Sequence, residues 1–256
     1  MKIVIFGGTT EGRELSRRLS KAGAAVTVCV ATEYGEEEQG RVPGVETRTG
    51  PLSPEEKLAL LKDAALCIDA THPYAKHVTV SVKAACAEAS VEYLRLLRPP
   101  CDIEGAVTVE SAAEAAVYLL EREGRILLTT GAKELTAYAG LTPERLFPRV
   151  LPSHESLAAC EALGIPHRNI IAMQGPFSQA LNAALIRQYG IQYVVTKDGG
   201  APGGFPEKLA AAKETGARLI VLRRPEEDGM PFDEVLSLCM QRLGAGNKIF
   251  QGEKGT

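Results

Sequence analysis

Gly7-Gly8-Thr9-Thr10-Glu11-Gly12-Arg13 follows a short β-branched run, Lys2 to Phe6. Small residues there let backbone N–H groups at a helix N-terminus approach a pyrophosphate. A full GxGxxG fingerprint needs glycine at position 9, where threonine stands, so the stretch favours nucleotide binding over a purely structural turn while departing from the pattern. The Thr9 and Thr10 hydroxyls are candidate phosphate contacts. Arg13 is a candidate for a phosphate or a substrate carboxylate, set against the ordinary expectation of an exposed helix arginine. About 20 residues past Gly12 comes Glu33, where an acidic group contacts ribose hydroxyls and repels a 2′-phosphate. The other reading of Glu33 is a solvated acidic loop with Glu36, Glu37 and Glu38. Tyr34, beside it, joins the cofactor-binding set.

A second constellation is Asp69-Ala70-Thr71-His72-Pro73-Tyr74-Ala75, which follows the apolar run Leu66 to Asp69. Polar side chains emerging at the carboxyl edge of a parallel sheet are placed for ligands. His72 and Tyr74 can donate hydrogen bonds or a proton, and Thr71 and His72 are assigned to the cofactor side. The structural alternative is a proline-shaped helix entry capped by Thr71 or Asp69. The second half repeats the pattern in Thr129-Thr130-Gly131-Ala132-Lys133, Met173-Gln174-Gly175-Pro176-Phe177-Ser178 and Thr196-Lys197-Asp198-Gly199-Gly200. With Arg149, these bring cations and glycine amides to one edge, a receptor for a polyanion. The substrate candidates are Thr130, Gly131, Lys133, Arg149, Gln174, Gly175, Lys197, Gly199 and Gly200. Against this, each lysine reads as a solvated loop charge, Asp198 as a partner of Lys197 or a turn cap, and Gly203-Gly204 as a tight bend. His77, His154 and His167 lack such company, and no metal site is expected.

The elements that must carry these residues alternate. Runs at 2–6, 25–30, 45–48, 66–69 and 91–97 read as strands, with helices at 10–22, from the Ser53-Pro54-Glu55-Glu56 start, and at 76–89. Parallel strands with crossover helices follow. Pro99-Pro100 marks the boundary between an N-terminal domain, 1–98, and a second, 99–243. The second holds helices at 111–122, 153–163, 178–189, 207–215 and 232–243, and strands at 125–129, 149–151, 169–173, 192–196 and 218–222. Residues 244–256 read as a fraying tail. Thr9 to Leu15 and Thr129 to Leu135 share threonines and glycine between strand and helix, too short a match to establish duplication.

Composition sets the bounds. The 256 residues are 45% hydrophobic and 24% charged, enough for a packed core, with a net charge of −3 that argues against a nucleic-acid surface. No run approaches the ~20 apolar residues of a membrane helix, and the N-terminus carries no signal-peptide pattern, so a cytoplasmic protein is expected. Six cysteines without a CxxC pair read as reduced core thiols.

Taken in order, residues 7–13, 69–75, 129–133, 173–178 and 196–200, with Arg223-Arg224-Pro225, resemble the precorrin-6A and cobalt-precorrin-6A reductase family. The resemblance implies two Rossmann-like parallel-sheet domains with a cleft between them. It implies a hydride passed from NADH or NADPH to an anionic corrin precursor in cobalamin biosynthesis, giving precorrin-6B or its cobalt form. Glu33 favours NADH. A sugar-nucleotide reductase or epimerase of the same broad class would want a Tyr-x-x-x-Lys pair; Tyr193 and Lys197 have that spacing, but at the end of a strand run and not on a helix. A nucleotide-sensing module without chemistry leaves the second-half motifs unexplained. Oligomeric state is not legible.

Overall fold

The computed structural model describes residues 1–98 and 101–252, and their side chains except those of Tyr34, Pro202 and 245–252. The proline pair expected to mark the domain boundary and the last four residues lie outside the described residues. The chain divides into two compact units.

The first unit opens with β1 (Lys2–Phe6), α1 (Thr10–Lys21), β2 (Ala25–Val30), α2 (Glu33–Gln39), β3 (Val45–Thr49), α3 (Pro54–Leu61), β4 (Leu66–Asp69), α4 (Lys76–Glu88) and β5 (Tyr93–Leu97). The second unit contains β6 (Val107–Val109), α5 (Ala112–Leu120), β7 (Arg125–Leu128), β8 (Leu146–Val150), α6 (His154–Ala162), β9 (Ile171–Ala172), α7 (Gln179–Tyr189), β10 (Ile191–Lys197), α8 (Phe205–Thr215) and β11 (Arg218–Leu222). A 3-10 helix, Ala132–Tyr138, stands after β7 where the first unit has α1. The chain then returns to the first unit as β12 (Met230–Pro231) and α9 (Phe232–Gly252).

That return corrects the expected division at 99–243. β12 pairs with β5, and Val235 and Cys239 of α9 are fully buried in the cluster formed by Ile3, Ile5, Leu15, Leu19, Val26 and Val28. Burying Val235 alone is worth about 1.5–3 kcal/mol. The apolar spacing of 232–243 shows that a helix buries one face; which sheet receives it is a tertiary matter. Helix α9 extends through residues 244–252.

Both sheets pair wholly in parallel, in the orders β12-β5-β4-β1-β2-β3 and β6-β11-β10-β7-β8-β9. The central strands are buried on both faces, which is why they read as unbroken apolar runs instead of alternating ones. In each unit the winding direction reverses once, between β1 and β4 and between β7 and β10. Ligands of open α/β sheets sit at the carboxyl ends of such strand pairs. The Gly7-Gly8 and Thr71-His72 segments leave the first switch point, and Thr129-Gly131 and Lys197-Gly200 leave the second. Among the described residues no cysteine is in a disulfide, and five of the six are buried. No helix among the described residues is long and apolar enough to cross a membrane.

Candidate functional site

In the first unit Phe6 stands opposite both Cys29 and Asp69, so Gly7 and Ala70 leave the sheet together. Each glycine of the turn has its own reason. A Cβ on Gly7 would press to 3.0 Å from Val28 Cγ1, and one on Gly12 would sit 3.0 Å from Ala70 Cβ. Gly8 instead adopts φ +102, which disfavours L side chains, and nothing lies within 4 Å of where its Cβ would stand. The space beyond Gly8 is therefore open, a cradle a phosphate can enter beside the N-terminus of the 12-residue α1. Thr9 is the cap: its hydroxyl accepts from the Gly12 N–H at 3.2 Å and donates to the Ala70 carbonyl at 2.7 Å. That hydroxyl joins α1 to β4 and is not a spare phosphate ligand. Thr10 is exposed at the first position of α1. Glu11 is paired with Arg98 at 2.6 Å.

A pocket of about 260 Å³ opens at this switch point, with Gly7, Gly8, Thr32, Gly35, Thr71 and His72 in its wall. The segment after β2 is helix α2, capped by Thr32 accepting from the Gly35 N–H at 3.0 Å, and not an acidic loop. Glu33 is the exposed first residue of that helix and stays out of this wall; it lines a neighbouring shallow depression with Glu36, Glu37 and Arg41. The Tyr34 side chain lies outside the described residues. Arg13 is exposed, and its guanidinium stands 3.3 Å from where a Cβ of Gly40 would be, at the carboxyl end of α2.

His72 is held by a buried polar network that begins at Asp69. This carboxylate accepts from the Thr71 N–H and hydroxyl at 3.0 and 2.7 Å, from the Tyr93 hydroxyl at 3.0 Å and from Arg95 Nη1 at 2.8 Å. Arg95 Nη1 also donates to the Thr71 carbonyl at 3.1 Å, fixing the peptide that leads into His72. Glu227, from the returning segment, accepts from the other edge of Arg95 at 2.8 and 3.1 Å. Burial and the Asp69 charge push the Tyr93 phenol up, keeping it a donor. The His72 Nδ1 accepts from the Tyr74 N–H at 3.4 Å, and the two rings lie 5.6 Å apart.

In the second unit β7, β8, β9 and β10 all end at one edge, gathering the loops around 129–131, 149–152, 173–178 and 197–200. Arg149 is buried at 6% exposure, donates from Nη1 to Asn182 Oδ1 at 2.8 Å and lies 4.1 Å over the centroid of the Phe177 ring. Burial pushes its guanidinium down to about 10. Gly175 makes room for that ring: a Cβ there would meet Phe177 Cε2 at 2.9 Å. Gln174 is exposed, Gly199 and Gly200 are buried, and Gly131 takes φ +89. The Thr130 hydroxyl oxygen is buried, so it is not presented to solvent. Lys133 is exposed on the 3-10 helix. Lys197 is not a bare loop cation but pairs with Glu134 at 2.9 Å. Asp198 caps the Gly200 N–H at 3.2 Å and pairs with Arg224 at 3.3 Å.

The sequence profile of the Precorrin-6x reductase CbiJ/CobK family matches residues 2–240. The chain belongs to the precorrin-6x reductase family. It is 37% identical over 233 residues to the cobalt-precorrin-6A reductase of Methanothermobacter thermautotrophicus, covering 88% of this chain and 77% of that one. It is 34% identical over 232 residues to the Priestia megaterium cobalt-precorrin-6A reductase, covering 88% and 91%. Among solved structures, a CobK precorrin-6A reductase aligns over 96% of this chain and 98% of its own with a TM-score of 0.75 at 23% identity, a likeness of fold.

In this precorrin-6x reductase two cations belong to the geometry that sequence reasoning passed over. Lys57 of α3 lines the first unit's pocket, its ammonium donating to the Leu52 carbonyl at 2.9 Å and Ser81 Oγ at 2.8 Å. Lys208 of α8 donates to the Gly203 carbonyl at 3.1 Å, and a Cβ on Gly204 would stand 4.0 Å from Pro176 Cβ. Both sit on helices whose spacing reads as ordinary amphipathic surface, so no local signal separates them from solvated lysines. Arg95 and Tyr93 were hidden for another reason: they lie inside an apolar strand pattern, and only the register of β5 against β4 brings them to Asp69.

Proposed function

We propose that this chain reduces one ring double bond of precorrin-6A, or of its cobalt-loaded form, to the 6B product with a nicotinamide cofactor. The observation that carries the reading is the family match over nearly the whole chain, with segments 7–13, 69–75, 129–133 and 196–200 lying at two sheet switch points. The open Gly8 cradle fits a dinucleotide, and the bound nicotinamide would supply the hydride. Gly7, Gly8 and the amides opening α1 hold the pyrophosphate; Thr71 and His72 border the reacting end. Hydride goes to one carbon of the double bond and a proton to its neighbour, so atoms and charge balance. His72 is the proposed donor, giving a proton as the imidazolium and returning to the neutral ring, oriented by Tyr74. Lys133, Arg149 and Lys197 meet substrate carboxylates.

NADH is the proposed cofactor. Glu33, Glu36 and Glu37 flank the depression beside the end of β2 and oppose a 2′-phosphate. The decisive test is anaerobic incubation of the purified chain with precorrin-6A or cobalt-precorrin-6A and each cofactor. Expected is loss of reduced nicotinamide matched by a product heavier by two hydrogens. His72→Ala should lower turnover roughly 100-fold or more with KM little changed. Absence of that product with both substrates and both cofactors overturns the reading.

A further inference from the structure

Arg149 is a buried cation held without a counter-charge. Pro148 stands opposite Leu128, so Arg149 comes level with the point where β7 leaves the sheet. Strand alternation sends it to the same face as Phe147, which packs with Ala183 and Ile186 of α7. There its Nη1 donates to Asn182 Oδ1 at 2.8 Å, and the guanidinium carbon lies 4.1 Å over the centroid of the Phe177 ring. Both partners are themselves fixed. Asn182, 2% exposed, spends its Nδ2 on the Phe177 and Ser178 carbonyls at 3.2 and 2.9 Å, so Oδ1 is the atom that must face the arginine. The Phe177 ring is backed by Gly175, where a Cβ would meet its Cε2 at 2.9 Å and its Cδ2 at 3.1 Å. An amide dipole and a ring quadrupole orient a cation without neutralising it. Among the described residues the guanidinium pairs with no carboxylate, and the edge formed by its Nε–H and Nη2–H donates to nothing. At 6% exposure such a group is costly to bury unpaired.

We propose that the Nε–H and Nη2–H edge of Arg149 is a preformed seat for one carboxylate of the tetrapyrrole substrate, with Asn182, Phe177 and Gly175 as positioning residues. This rests on the substrate reading above and adds to it the atoms that make the contact and the groups that aim them. A carboxylate matches the two parallel donors of a guanidinium edge, and each bond is charge-assisted. The other two candidate cations differ in kind. Lys197 is already paired with Glu134, and Lys133 is exposed, where solvent screens it. Arg149 therefore carries the largest share of carboxylate recognition in this unit. Gly175 acts at one remove: the space beside its α-carbon is taken by the Phe177 ring, and the ring holds the guanidinium plane. A methyl group at Gly175 displaces the ring, because the atoms it meets are the ring's own.

The test is equilibrium binding of cobalt-precorrin-6A to the full chain for wild type, Arg149→Met, Arg149→Lys, Phe177→Leu and Gly175→Ala, with NADH affinity and steady-state KM and kcat measured alongside. A charge-assisted contact implies that Arg149→Met binds the tetrapyrrole roughly tenfold or more weaker. Arg149→Lys should recover only part of that loss, since lysine keeps the charge and lacks the fork. Phe177→Leu and Gly175→Ala should each raise KM by a few-fold with kcat little changed, the mark of groups that aim the arginine and take no part in the chemistry. NADH affinity should not change in any of the four. In wild type the NMR resonance of the Arg149 Nε–H should shift when the tetrapyrrole is added and stay in place when NADH is added, a readout independent of how any variant folds. Equal tetrapyrrole affinity in wild type and Arg149→Met, an Nε–H resonance indifferent to the tetrapyrrole, or a loss of affinity confined to NADH overturns the proposal. Failure of wild type to bind the tetrapyrrole at all overturns the substrate reading beneath it.

Discussion

Arg95 Nη1 lies 2.8 Å from Asp69 Oδ1, with the two side chains 3% and 0% exposed. The pair is not isolated: Thr71 and Tyr93 complete the Asp69 carboxylate, and Glu227 takes the other edge of the guanidinium. A buried ion pair of this kind adds little by comparison with an apolar substitute, but breaking one half leaves an uncompensated charge. Its value lies in geometry. It ties β4, β5 and the returning C-terminal segment to the peptide that precedes His72.

Arg95→Met should accordingly cost about 3–5 kcal/mol, read as a lower urea midpoint with an unchanged slope. Glu227→Gln should cost less, because that carboxylate is 14% exposed and water can serve the guanidinium. Equal midpoints for wild type and Arg95→Met would mean the network holds nothing together.

The glycines of the first turn should separate into two behaviours. Gly8→Val meets open space but a disfavoured φ, so it should weaken cofactor binding at least tenfold while the chain stays folded. Gly12→Val drives into Ala70 and should lower thermal stability first. Fluorescence titration with NADH and thermal melts on both variants would expose a reversed pattern, which would move the pyrophosphate away from Gly8.

Cofactor choice should follow the acidic flank of α2. Steady-state kcat/KM is expected to be higher with NADH than NADPH, and Glu33→Gln should narrow the ratio by relieving repulsion of the 2′-phosphate. A preference of roughly tenfold or more for NADPH, worth about 1.4 kcal/mol, would make Glu33 a helix-start charge and nothing else.

Lys197 offers a test in which a loss of charge improves binding. Its ammonium is engaged by Glu134, and a substrate carboxylate must compete with that partner. Glu134→Gln should lower the substrate KM by a few-fold, and Lys197→Ala should raise it roughly tenfold or more, both with cofactor affinity steady. Identical KM values across wild type and both variants would place the polyanion elsewhere.

Much of the fold was legible because parallel strands buried on both faces leave long apolar runs and because helices announce their starts. Ser53, Ser111, Ser153 and Ser178 each cap the helix that follows them, as their positions before apolar-periodic stretches suggest. The sequence by itself also determined the glycine turn after β1, the polar end of β4 and the family, since these rest on residue types in local order. It could not decide which sheet takes the last helix, because amphipathic spacing encodes a buried face without naming its partner. Nor could it decide which polar groups meet. Asp69 finds Arg95 through strand register, Lys197 finds Glu134, and Asp198 finds Arg224. Charge pairing depends on distances of a few ångströms between residues far apart in the chain, and only the packed tertiary structure sets those.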